Sequence, residues 1–135
     1  MKKKILIVSA NYYKTISTGL EASAFEVLND KKDNSKKYKV DVFGVPGVFE
    51  IPVMIAKNIK KYDGFLALGC IIKGETPHFH FISKASIDAI MKLSIENKKP
   101  IGNGIITCLN LNQALVRRKK GQEAALAVLS VLDNF

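Results

Sequence analysis

Both histidines of this 135-residue chain, and one of its two cysteines, lie in the stretch "GCIIKGETPHFHFIS" (69–83). An apolar run ends there and an amphipathic run begins. Thr76 is a good helix N-cap, and Pro77 suits the first helical position. The amides left open at such a start, with Gly74 allowing close approach, form a place for an anion. There the Thr76 hydroxyl and amide would hold a phosphate, although the same residues also serve as a plain cap. Lys73 adds positive charge. His78 falls in the first helical turn, facing the strand ends, where a histidine can move protons. His80 lies two residues on, points elsewhere on the helix and reads as a surface or contact residue.

Other residue types suited to chemistry sit at similar junctions. Glu50 follows the "VPG" turn in the first turn of a helix. It either complements the positive helix end or accepts hydrogen bonds from sugar or polyol hydroxyls. Phe49 beside it can form a pocket wall. Tyr12 and Tyr13 follow the first apolar run, where a ring can stack on a flat heterocycle or pack into the core. Asn103, between two glycines, can use its amide to read a heterocycle edge or can shape a turn. Arg117 ends "LNQALVR", and its guanidinium fork suits phosphate. Lys120 precedes Gly121 and the last helix in another tight turn.

Several chemistries are disfavoured. There is no P-loop, and "GNG" lacks the third glycine of a dinucleotide fingerprint. Cys70 is followed by Ile71 and Ile72, so it is not the cysteine version of a nucleophile elbow. Histidines spaced i, i+2 on a helix with no carboxylate beside them do not make a metal site.

Periodicity supplies the elements that must position these residues. Strands are expected over 4–10, 38–45, 63–72 and 100–108. Helices are expected over 17–28, 48–61 and 77–99, with a polar loop at 33–37. In the 77–99 helix, Phe79, Ile82, Ser86, Ala89, Ile90 and Leu93 face inward. Asn110 or Asn112 caps a short helix through Arg117, and a last helix closes the chain. Strand and helix alternating in this way predict a parallel sheet with helices on both faces. In such sheets ligands bind beyond the carboxyl ends of the strands. The unusual residues cluster there: 10–13, 45–50, 70–78 and 103–109. Two helices, "VFEIPVMIA" and "AALAVLSVL", are apolar nearly all round. One sheet covers one face, so the remainder predicts subunit contacts.

The length suits one domain spanning 1–135, and 47% hydrophobic residues can bury a core. Cys70 and Cys108 lie in apolar surroundings and read as reduced thiols of a cytoplasmic protein. No stretch has the character of a signal peptide or the length of a membrane span. A net charge of +9 and a pI near 9.6 favour anionic partners. The lysines come as short runs at expected loops and helix ends, without interleaved aromatics, and read as a solvated surface, not a nucleic-acid site. A nucleic-acid-binding α/β domain and a cysteine hydrolase using Cys70 and His78 are the competing readings.

The segments "VPGVFEIP", "ALGCIIKGETPHF", "PIGNGIIT", "LNQALVR" and "KKGQEAA", in that order, resemble the 6,7-dimethyl-8-ribityllumazine synthase family over nearly the whole chain. The resemblance implies a flavodoxin-like three-layer α/β sandwich with a four-stranded parallel sheet. It implies an enzyme that condenses 5-amino-6-(D-ribitylamino)uracil with 3,4-dihydroxy-2-butanone 4-phosphate through a Schiff base, phosphate elimination and ring closure. No metal or organic cofactor is implied. Tyr12 would stack on the pyrimidine, and Val48, Phe49 and Glu50 would line the ribityl site. Cys70, Ile71 and Ile72 would meet the ring through backbone groups. Glu75 and Thr76 would hold phosphate, with Arg117 clamping it, and His78 would transfer protons. Asn103 would come from the neighbouring subunit of a homopentamer, and Lys120 would approach the pyrimidine. Two features depart from the family. The segment after the first strand is "NYYK", which leaves Tyr12 and Tyr13 as alternatives for stacking. The link "RRKKGQ" and the amino terminus are short, which favours a free pentamer over an icosahedral shell.

Overall fold

Aliphatic runs buried on both faces cannot sit at a surface, so helices must cover them from two sides. The computed structural model, which describes residues 2–29, 37–74 and 77–133, meets that requirement. Its elements run β1 (Lys3–Ala10), α1 (Lys14–Leu28), β2 (Tyr38–Val45), a 3-10 turn (Val48–Glu50), α2 (Ile51–Asn58), β3 (Gly64–Ile72), α3 (His78–Asn97), β4 (Ile101–Cys108), α4 (Leu111–Val116) and α5 (Lys120–Asp133). The four strands form one parallel sheet in the order β2-β1-β3-β4. This is the expected flavodoxin-like sandwich. Side chains of period two divide the core. Ile5, Ile7, Leu66, Leu68 and Ile106 pack with α1 and α5 on one face. Leu6, Val8, Phe65, Ala67 and Ile105 pack with Ile51, Ile55 and Ile90 on the other.

The expected elements are all present, with shifted ends. Helix α1 starts at Lys14 instead of residue 17, because the Tyr13 carbonyl already accepts from Ile16 and Ser17. The expected helix over 48–61 divides into the 3-10 turn and α2. Helix α3 starts at His78, with Pro77 in the cap position instead of the first helical one. It stops at Asn97 because Lys98 turns left-handed (φ 54°) and the Lys99 amide closes back on the Ser94 carbonyl at 3.2 Å. Of the six side chains expected to face inward on α3, Ser86 and Ile90 are buried, and Phe79, Ile82 and Leu93 pack partly buried against the same core. The 33–36 part of the polar loop, Glu75 and Thr76 lie outside the described residues.

The expected strand over 100–108 is borne out with "GNG" in its interior, so the alternative of Asn103 as a turn residue is not. The tight turn expected at Lys120 and Gly121 is the start of α5, with Gly121 in its first turn. Both spots are glycine because backbones approach closely. A Cβ on Gly102 would lie 2.3 Å from the Ala124 carbonyl oxygen, and one on Gly121 only 2.1 Å from that of Leu20. These contacts seat α5 on β4 and on α1. Apolar side chains do remain outside. Val53 on α2, Leu126 and Val131 on α5, and Phe81, Met91 and Ile95 on α3 are each more than half exposed. Within one chain the two all-round apolar helices are covered on one side only.

Gly121→Ala must push α1 and α5 apart, since a backbone oxygen cannot swing away. We expect it to cost about 1–3 kcal/mol in chemical denaturation. Gly74→Ala, whose Cβ would meet nothing within 4 Å among the described residues, should stay within about 0.5 kcal/mol of wild type. Equal stability of the two variants would contradict the packing argument.

Candidate active site

In a parallel sheet of this order the chain leaves β1 towards β2 and β3 in opposite directions, which opens a crevice at their carboxyl ends. A cleft of about 630 Å³ occupies that place. Tyr12 and Tyr13 from the end of β1, Val48, Phe49 and Glu50 after β2, Cys70, Ile71 and Ile72 closing β3, and His78 opening α3 all line it. Eight of the residues singled out from the sequence as site residues therefore share one cavity.

Local causes hold each wall. The Gly47 amide donates to Glu50 Oε1 at 3.0 Å, and the Glu50 amide donates to the Gly47 carbonyl at 3.1 Å. One carboxylate oxygen of Glu50 thus braces the "VPG" turn. Val48 is buried against β3 because Gly69 has no side chain; a Cβ there would lie 2.8 Å from Val48 Cγ2. Gly69 is a determinant of the site that was missed in the sequence, where it read only as part of an apolar run. Phe49 stands out at the rim, 63% exposed.

The two tyrosines differ. Tyr12 is 75% exposed, whereas Tyr13 packs against the α1-side core, their ring centroids 4.9 Å apart at 56°. The Tyr13 phenol is shifted up, first by burial and then by the neighbouring Tyr12 and Cys70 charges. Cys70 turns its side chain into the same core, beside Cys108. Burial, followed by the Cys108 charge and hydrogen bond, pushes its thiol from 9.0 up to about 12. A thiol so protonated is no nucleophile near neutral pH, which removes the footing of the cysteine-hydrolase reading. His78 is exposed at the cleft, and the His80 ring meets Phe79 edge-on at 5.0 Å.

Asn103, Arg117 and Lys120 do not line this cleft. They line a second one of about 580 Å³ along the outer edge of β4, with Ile87, Thr107, Lys119 and Glu123 among its other walls. An edge strand presents unpaired backbone groups, and two of these residues cover them. Asn103 Oδ1 accepts from the Ile105 amide at 3.0 Å, and Arg117 Nη1 reaches the Thr107 carbonyl at 3.4 Å. Arg117 is placed by α4, whose cap is Asn110 of the two asparagines considered. Asn110 Oδ1 accepts from the Gln113 amide at 2.9 Å, and Gln113 Oε1 accepts from the Leu109 amide at 2.8 Å. Lys120 is the first residue of α5 and pairs with Glu123 at 3.4 Å. Lys119 was passed over in the sequence as part of a basic run; only the fold shows that it faces this cavity.

Among the described residues no group of three His, Cys, Asp or Glu side chains is placed to hold a metal ion, and no helix is long and apolar enough to cross a membrane.

Comparison with known proteins agrees with this geometry. The family model for 6,7-dimethyl-8-ribityllumazine synthase matches residues 2–135. The chain is 41% identical over 146 residues to the 6,7-dimethyl-8-ribityllumazine synthase of Bartonella henselae, covering 99% of this chain and 91% of that protein. It is 39% identical over 143 residues to that of Bartonella bacilliformis, covering 97% and 91%. For that of Blochmanniella pennsylvanica the identity is 37% over 140 residues, covering 98% and 87%. A whole-chain match at this identity, on a sheet whose crevice gathers the motif residues, places the chain in the 6,7-dimethyl-8-ribityllumazine synthase family, the transferases that condense a ribitylaminouracil with a dihydroxybutanone phosphate in riboflavin biosynthesis.

Proposed function

We propose that the two clefts are halves of one active site, joined between neighbouring subunits of a homopentamer. The observation that carries this reading is the division of the candidate residues: eight in the cleft at the β1–β3 crevice, three in the cleft along β4. Exposed apolar side chains accompany both: Phe49 lines the first, and Val116 directly precedes Arg117 of the second. Two different faces that fit each other generate a closed ring when the rotation closes. We read the protein as a single cytoplasmic lumazine-synthase domain, a free pentamer that acts on small molecules, not on nucleic acid, without metal or organic cofactor.

In this reading the pyrimidine of 5-amino-6-(D-ribitylamino)uracil stacks on Tyr12, the freely accessible ring of the two. Its polar edge meets backbone groups of Cys70, Ile71 and Ile72. The ribityl chain lies along Val48 and Phe49, with its hydroxyls donating to Glu50 Oε2, the oxygen not used by the turn. From the neighbour, Asn103 and Lys120 approach the pyrimidine; the Asn103 amide nitrogen is its available group, since Oδ1 is engaged. Arg117, together with Glu75 and Thr76, holds the phosphate of 3,4-dihydroxy-2-butanone 4-phosphate. The substrate amine attacks the ketone, and loss of water gives the Schiff base. Loss of a proton from the carbon between the imine and the phosphate-bearing carbon expels phosphate from the chain end and leaves an enol, which becomes a ketone. The second nitrogen attacks that carbonyl, and loss of a second water closes the ring. His78 carries protons between these centres. The amine is already nucleophilic and the leaving group is built in, so holding two reactants together supplies much of the rate.

The direct test mixes the protein with both substrates and follows the fluorescent lumazine; no product would overturn the assignment. Arg117→Ala should raise the KM for the phosphate substrate about ten- to a hundredfold, as loss of a charge-assisted bidentate contact implies. An unchanged KM would refute that role. Tyr12→Ala and Arg117→Ala proteins, unfolded and reassembled together, should regain activity in about a quarter of their sites, because a shared site can draw each intact half from a different subunit. If co-assembly restores nothing, the site is not shared.

The thiol gives a test of a different kind. Because Cys70 enters through its backbone, Cys70→Ala should keep activity. At pH 8 the native thiol, at about 12 instead of 9.0, should alkylate roughly a thousandfold more slowly than in the unfolded chain. The folded thiol keeps a proton that the unfolded chain releases, so its contribution to stability is whole below pH 9 and is lost as pH rises towards 12.

A further inference from the structure

We infer that Asn11 is a positioning residue for the reaction and that Gly44 is its seat. The inference rests on the reading that Tyr12 stacks on the pyrimidine. Asn11 directly precedes Tyr12 and touches two elements, β2 and α1. Its amide donates to the Val45 carbonyl at 2.9 Å, carrying the β1–β2 ladder one step past the Ala10–Val45 pair. Its side-chain Oδ1 lies 3.3 Å from the hydroxyl of Ser17, a buried residue of α1. Its Nδ2 lies only 2.4 Å from where a Cβ on Gly44 would stand, and its Cγ 3.6 Å away. The amide plane therefore rests across the Gly44 backbone and is held there from α1.

Gly44 has no other evident reason to be glycine. Glycine weakens a strand, and no glycine among the described residues has positive φ, so an ordinary side chain could adopt this backbone. Apart from Asn11, the nearest atom to that Cβ is the Ser9 carbonyl oxygen at 4.0 Å, an ordinary contact. What occupies the missing side chain's place is Asn11. The consequence reaches the cleft from both sides. Tyr12 is mostly exposed and has little packing of its own, so its position follows from Asn11 before it and the anchored Tyr13 after it. Three residues beyond Gly44 the chain turns at Gly47 into Val48–Glu50, the opposite wall. The Asn11–Gly44 contact thus joins the stacking wall to the ribityl wall and sets their separation.

The test compares Gly44→Ala, Asn11→Ala and the double variant in the assembled protein. An added methyl meets only the end of a short side chain, which can swing aside, so Gly44→Ala should fold with the wild-type melting temperature. Its KM for the ribitylaminouracil should rise about three- to tenfold, the scale of one lost hydrogen bond, while the KM for the phosphate substrate stays put. Asn11→Ala should do the same. The double variant should be no worse than either single, because both act by removing one contact. The Tyr12 ring resonances, read by NMR without substrate, should move alike in all three variants. Independent effects that multiply in the double variant, equal rises in both KM values, or unmoved Tyr12 resonances would overturn the inference. A wild-type protein that makes no lumazine would instead sink the functional reading, and the ring resonances would still decide whether Asn11 sets Tyr12.

Discussion

The rest of the structure depends on the burial of β1 and β3 on both faces. Ile5, Leu6, Ile7 and Val8 in one strand, and Phe65, Leu66, Ala67 and Leu68 in the other, are removed from solvent. Strands of that kind can lie only in the middle of a sheet with helices on both sides. Parallel pairing then demands long crossovers, and their common hand sends the chain from β1 one way and into β3 the other. The crevice between the two strand ends follows from this arrangement. The site is placed by the core before any of its own residues act.

Close backbone packing refines that placement. Gly102 and Gly121 seat α5 against β4 and α1, and α5 carries Lys120 into the cleft beside β4. Gly69 lets Val48 sink against β3 and so holds the 3-10 turn that presents Phe49 and Glu50. In each case a missing Cβ allows an approach that fixes a candidate site residue some positions away. Small substitutions at such positions are felt because interiors have no slack to absorb a methyl group. Polar ties complete the work: Glu50 braces its own turn, and Asn110 with Gln113 fixes α4 and with it Arg117.

The proposed division of the site between two clefts would also account for the exposed apolar surface. A single chain leaves Phe49, Val53, Val116 and Leu126 more than half exposed and divides the candidate site residues between two faces. In the proposed ring the same contacts that hide these side chains would bring the two substrate-binding halves together. Assembly and activity would then be one property. Cys70, buried and with its thiol shifted up by that burial, would fit the same economy, adding packing and backbone to the proposed site and no reactive group.

Local rules made much of this readable in the sequence. Aliphatic runs marked β1 and β3, alternation with amphipathic stretches marked the parallel sheet, and Asn110 marked the start of α4, because propensity and capping act within a few residues. The order of the motif segments was enough to indicate the family. What neighbouring residues do not encode was decided by tertiary structure. Why Gly102 and Gly121 are glycine could not be read, because a glycine's local freedom is visible in sequence while an approaching backbone is not. That Arg117, Asn103 and Lys120 share a cavity along the edge of β4, apart from His78, could not be read either, since strand order, not chain order, sets which ends meet. Asn11 and Gly44 are thirty-three positions apart, and only the β1–β2 register lays one across the other. The sequence alone determined which elements form and which chemistry they carry; the tertiary structure decided which of those residues share a cavity, because that depends on long-range register and on backbones close enough to exclude a single methyl.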